Sequence, residues 1–358
     1  MSYGCGMMQS LTKVVMEDRR AWDSRILSDR SKACQVRANT LPDLDQPSSE
    51  PHGRPMAAVV IEQVTKTFGQ HVAVDNLSLV VPEGTIYGFI GPNGSGKTTT
   101  LRMIMRILHP DRGRITVLGD HSLGAANDRV GYLPEERGLY KSMKVRDVLK
   151  FYAQLKGMTN PKAEIERWLE ALGLAEWADK KITALSKGMA QKVQFIATVV
   201  ARPALVLLDE PFSGLDPVNA VVLREAVLDL RRAGTTVIFS THDMAVAEKM
   251  CDMIFMIYRG QKVLDGTLEA IQDAYGEDSV RVRLAGENNA LEGLPGVLHV
   301  EEYGRYHELR LARDADPQET LAALMDRGEV RLFELSRPSL QDIFVRIAGT
   351  EAVEVHVA

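Results

Sequence analysis

The stretch GPNGSGKT, Gly91–Thr98, fixes the reading of this chain. Its residues Gly91, Pro92, Asn93, Gly94, Ser95, Gly96, Lys97 and Thr98 fit the pattern G-x-x-x-x-G-K-[ST] at every position. Backbone N–H groups can surround phosphate oxygens only where side chains do not obstruct them, hence the glycines. A helix that follows the loop adds its positive N-terminal end. Lys97 is placed to reach the β- and γ-phosphates, and the Thr98 hydroxyl to ligate Mg2+. Such a loop needs a strand before it and a helix after it. TIYGFI supplies the first. LRMIMRIL supplies the second, with Leu101, Ile104, Met105 and Leu108 at helical spacing.

The same alternation continues outward. AVVIEQV and VAVDNLSLVV read as strands upstream, and RITVLG, ALVLLDE, TTVIFS and MIFMIY downstream. Between RVGYLP and LVLLDE lies a helical stretch: VRDVLKFYAQLKG, AEIERWLEALGL and the run after LSKGM. Strands alternating with helices predict an α/β fold: a largely parallel sheet covered on both faces, with an antiparallel β subdomain and an inserted helical subdomain. After about Gly276 the order becomes strand, short helix, two strands, helix, strand and a closing helix, SLQDIFVRIAG. That is a small ferredoxin-like α+β arrangement. It shows no Gly-rich loop or titratable cluster, and reads as regulatory or interaction surface. The expected domains are therefore 57–276 for nucleotide binding and 277–358 for the small domain. Residues 1–56 are mixed and polar and end in LPDLDQPSSEPHGRPM, a linker composition. They read as a disordered extension, or as a start codon set too early with Met56 as the working start.

Composition narrows the partners. A net charge of -5, with 25% charged residues, gives no general pull toward nucleic acid. Cys5, Cys34 and Cys251 lie far apart and make neither a disulfide framework nor a zinc spacing, which suits a reducing cytoplasm. No uncharged apolar run reaches bilayer length, and the N-terminus lacks a signal-peptide core. Any work at a membrane then requires another chain to supply the membrane part.

Two further segments carry chemistry. LVLLDEP, residues 205–211, is a buried strand ending in two carboxylates. Asp209 is expected to hold Mg2+ through its water, and Glu210 to act as general base toward the attacking water. In THD, residues 241–243, His242 follows the strand VIFS and is placed to contact the γ-phosphate. Ser213–Pro217, SGLDP, forms a turn near the same site and brings in Asp216.

The ordered set of phosphate loop, LSKGM, LVLLDEP, SGLDP and STHD resembles the nucleotide-binding domain of ATP-binding cassette (ABC) proteins over roughly residues 57–275. The resemblance implies ATP as substrate, held by residues 91–98 and Thr99, with Phe68 stacking on adenine. It makes LSKGM, residues 185–189, the signature motif, usually L-S-G-G-Q. Ser186 and Gly188 would start a helix whose end closes over ATP held by a second subunit, identical or different. GYLPEERGLY, residues 131–140, would be the loop joining the subdomains, with Glu135 where the family usually has Gln. Glu135 then either ligates Mg2+ or sits back from the site. Lys187 replaces a Gly, and is expected to leave the phosphate site for solvent or the membrane subunit. Met189 replaces a Gln and loses its amide.

With the small C-terminal domain ending in PSLQDIF, the set looks like the sodium-extrusion and exporter subset. That implies an ATPase subunit on the cytoplasmic face of the membrane, bound to a separate permease. The alternatives are a soluble, non-transport ABC ATPase acting as a regulator, or a binder that has lost hydrolysis. Intact Lys97, Asp209, Glu210 and His242 argue against the last.

Overall fold

The computed structural model describes residues 57–121, 128–136, 138–275, 279–285, 291, 293–302, 304, 306–312 and 314–354. The expected extension over 1–56 lies outside them. The described chain divides into two units: 57–66, 78–85 and 98–239 in the first, and 67–77, 86–97 and 240–354 in the second.

In the first unit, β1 (Ala57–Phe68) and β4 (Arg112–Val117) pair antiparallel, from Val59 opposite Val117 to Thr65 opposite Arg112. The register shifts between Glu62 and Thr65, where Gln63 takes a positive φ. Strand β2 (His71–Pro82) lies on the other side of β1, so the order is β2-β1-β4. This is the expected antiparallel subdomain. Strands β5 (Val130–Leu133) and β6 (Leu205–Asp209) pair in parallel, and β6 neighbours β7 (Thr236–Thr241). Every residue of β6 and β7 is buried, as continuous apolar runs require of a sheet covered on both faces.

Helix α1 (Lys97–Ile104) follows the phosphate loop. The inserted helices are α2 (Val145–Leu155), α3 (Lys162–Ala171) and α4 (Lys187–Val199). Val145, Val148, Leu149, Ile165 and Leu169 are buried on them, and Trp168 meets Phe195 edge-on at 5.8 Å. Helix α5 (Pro217–Arg232) leads to β7.

In the second unit, β3 (Ile86–Ile90) pairs in parallel with β8 (Met253–Tyr258), which pairs antiparallel with β9 (Gln261–Gly266). Helices α6 (Met244–Met250) and α7 (Leu268–Tyr275) flank them in sequence. Then come β10 (Ser279–Ala285), β11 (Val297–Glu302), β12 (His307–Leu311), α8 (Pro317–Arg327) and β13 (Glu329–Ser336). The four strands form an antiparallel sheet of order β11-β12-β10-β13, the ferredoxin-like order anticipated from the sequence. The closing helix α9 (Leu340–Glu354) does not join that sheet's core of Val280, Val282, Leu309, Leu311 and Leu324. Its Leu340 and Ile343 are buried with Ile90, Ala247, Ile254 and Met256 instead.

Candidate functional site

The phosphate loop belongs to the second unit. A side chain on Gly91 would put its Cβ 2.2 Å from the Ile257 carbonyl oxygen, and one on Gly96 would lie 2.6 Å from that of Ala73. Both glycines also have positive φ, 147° and 112°, so no other residue fits without moving backbone. The Lys97 ammonium is 5% exposed and donates to the carbonyls of Gly91 and Pro92, at 2.8 and 3.1 Å. The Ser95 hydroxyl is buried without a hydrogen-bond partner. A tight backbone cradle, an enclosed cation and an unsatisfied hydroxyl are what a phosphate group requires. Phe68 ends β1 at 48% exposure, so it is not part of the core. His242 is exposed in the turn after β7. That turn is fixed by the Asp243 N–H donating to Thr241 Oγ1 at 3.0 Å, and by Asp243 capping α6 through the Val246 N–H.

In the first unit, Thr98 Oγ1 donates to Asp209 Oδ1 at 3.0 Å. A helix start and a strand end are thus tied by the two groups expected to hold Mg2+, a donor set of hydroxyl and carboxylate that suits a hard cation arriving with its phosphates. Thr99 is half-buried in the next position of α1. Asp209 is fully buried, and Glu210 follows it at 8% exposure with φ of 49°. The Tyr132 phenol is pushed up to about 12, by burial and then by the negative charge of Asp209.

A cavity of about 240 Å³ is lined by Glu135, Lys187, Gln191, Glu210 and Ser213. It brings Glu135 and Glu210 onto one wall system, which the sequence left open. Lys187 lines it as well. That side chain remains exposed, yet its ammonium lies so close to Gly214 that a Cβ there would sit 2.7 Å away.

Ser186 is the N-cap of α4, its Oγ accepting from the Met189 N–H at 3.2 Å. Gly188 faces the start of α5, where a Cβ would lie 3.2 Å from Asn219 Nδ2. Asp216 caps α5, and the Asn219 backbone N–H and then its side-chain amide hold the Asp216 carboxyl below its usual range. Two side chains that the motifs did not point to, Gln191 and Gln194, contact the loops around Glu210 and Glu135. Their only sequence signal is two amide residues among the polar positions of a helix.

Comparison with known proteins agrees with this geometry. Residues 74–213 match the family model "ABC transporter", and residues 266–348 the model "ATP-binding protein DrrA1-3-like, C-terminal domain". An uncharacterized ABC transporter ATP-binding protein of Bacillus subtilis (strain 168) is 42% identical, over 81% of this chain and 98% of the relative. The Nod factor export ATP-binding protein I of Rhizobium sp. (strain N33) is 33% identical, over 82% of this chain and 98% of its own length. A solved ATP-binding subunit of an ABC transporter superposes with a TM-score of 0.57 at 27% identity, covering 61% of this chain and 93% of that one. The chain belongs to the ATP-binding proteins of ABC transporters, a family that binds ATP and hydrolyses it to power transport.

Proposed function

We propose that this chain is one of two nucleotide-binding subunits driving an exporter, attached at the cytoplasmic face of the membrane to a separate permease, with residues 277–354 as regulatory or interaction surface. The hydrolytic part of this reading is carried by one observation: Thr98 and Asp209 are already hydrogen-bonded, and Glu210 is the next residue. Residues 91–97 bind the phosphates and Lys97 neutralises their charge. Thr98 and Asp209 would hold Mg2+, which would supply further charge neutralisation. Glu210 accepts the proton of the attacking water. His242 orients that water against the γ-phosphate, and Phe68 stacks on the adenine. Ser186 and Gly188 meet the nucleotide of the other subunit with the positive end of α4.

Export is supported by the relatives named for Nod factor export. Among the described residues no helix is long and apolar enough to cross a membrane, so this reading assigns the crossing to the permease.

Two differently tagged copies test both halves of the reading. One carries Lys97→Ala and the other Ser186→Arg. They are co-expressed in the native host and purified from detergent-solubilised membranes. One site of the mixed pair then collects both faults and the other collects none. The complex is expected to contain an integral membrane protein and to occlude one ATP. A proven mixed pair without trapped ATP counts against action across the pair. Recovery of the chain from the aqueous fraction alone counts against the permease.

A further inference from the structure

Helix α4 carries polar side chains at Lys187, Gln191, Gln194 and Thr198, spaced by four, three and four residues, which places them on one face. Two of them are buried and committed to distant backbone. Gln191 is 3% exposed, and its Nε2 donates at 3.3 Å to the carbonyl of Pro211, the residue after Glu210. Gln194 is 5% exposed, and its Nε2 donates to the carbonyls of Pro134 and Glu136, at 3.4 and 3.2 Å. Those two residues flank Glu135. Both acidic residues of the cavity are thereby fastened, through their neighbours' carbonyls, to the helix that begins at the signature.

Stability does not account for the amide at Gln194. The Gln194 Oε1 is buried with no hydrogen-bond partner. A buried amide with an unmet acceptor is less favourable than an apolar side chain of the same shape. The donated bonds are at the long end of the usual range, so they fix position more than they add strength.

We propose that Gln191 and Gln194 are positioning residues for hydrolysis, coupling the signature end of α4 to the loops that carry Glu210 and Glu135. Displacement of the helix start on meeting a phosphate travels along the rigid helix to Pro211, Pro134 and Glu136. This rests on the reading of Glu210 as general base.

The test uses the full-length chain with Gln191→Met and Gln194→Met, each also combined with Glu210→Gln. Methionine keeps the shape and removes the donor. Gln194→Met is expected to melt no lower than the parent. Affinity for a fluorescent ATP analogue should change by less than about threefold, while kcat falls about tenfold or more. On the Glu210→Gln background neither change should lower turnover further. Unchanged kcat, a loss of ATP affinity matching the loss of kcat, or a second tenfold loss on that background each overturns the proposal. Normal turnover by Glu210→Gln alone overturns the base reading, and the coupling to Glu210 with it. Normal turnover by the Gln variants beside a slow Glu210→Gln removes only the coupling. Should Gln191→Met fail to fold, Gln194→Met alone carries the test, with the same outcomes.

Discussion

Glu210 is held against its own backbone preference. Its φ of 49° lies in the left-handed region, which costs an L-residue about 1–2 kcal/mol. The strain sits at the residue assigned the proton transfer, a usual place for it. Two contacts hold the turn: the Ser213 N–H donates to the Glu210 carbonyl at 3.1 Å, and Gln191 holds the Pro211 carbonyl. Glycine relieves the strain and glutamine does not, although glycine loses about 0.5–1 kcal/mol through its greater freedom in the unfolded chain. Both Glu210→Gln and Glu210→Gly are expected to lower turnover about 100-fold or more. Glu210→Gly should be the more stable of the two by about 0.5–1 kcal/mol, the difference of those terms. Urea denaturation of the pair decides it, and equal stability would mean that the turn stores no strain.

The start of helix α4 has two duties, and they separate chemically. Ser186 caps the helix, and by the reading above it also faces a phosphate. Ser186→Ala should cost about 1 kcal/mol of stability. Ser186→Asp caps as well as serine and suits the helix dipole, but presents a negative charge to the nucleotide. It is expected to keep its melting temperature and lose ATP trapping, read by thermal unfolding and nucleotide occlusion. Trapping by the Asp variant would confine Ser186 to capping. The cap was legible in LSKGM because Ser before a helical run is a local signal. The buried runs β3, β6 and β7 were legible for the same reason, since strand length and apolar continuity are local. The contacts of Gln191 and Gln194 were not. Their acceptors are backbone carbonyls, which every residue possesses, and those of Gln194 lie 58 and 60 positions away in the chain. The place of Lys187 against Gly214 was not legible either, because packing and not spacing sets it. Glu135 was visible as a departure from a motif, but its shared cavity with Glu210 was not.

The second unit contains two apolar cores, and the closing helix serves the one that lies far from it in sequence. Besides Leu340 and Ile343, it is held by the Leu340 N–H donating to Glu248 Oε1 at 2.6 Å and by Phe344 against Tyr258 at 5.5 Å. Two buried side chains contribute about 1.5–3 kcal/mol each. A chain ended at residue 337 is therefore expected to lose about 3 kcal/mol or more, read by urea unfolding with ATP-analogue binding as the probe. Unchanged stability would make α9 an appendage. This placement also has a bearing on birth and turnover. The ribosome makes β8 long before α9, and the whole small sheet in between. The apolar side of Ile254 and Met256 thus stays uncovered during synthesis until α9 has been made. A chain that stalls or is clipped before α9 keeps that greasy face uncovered, the kind of surface that invites aggregation.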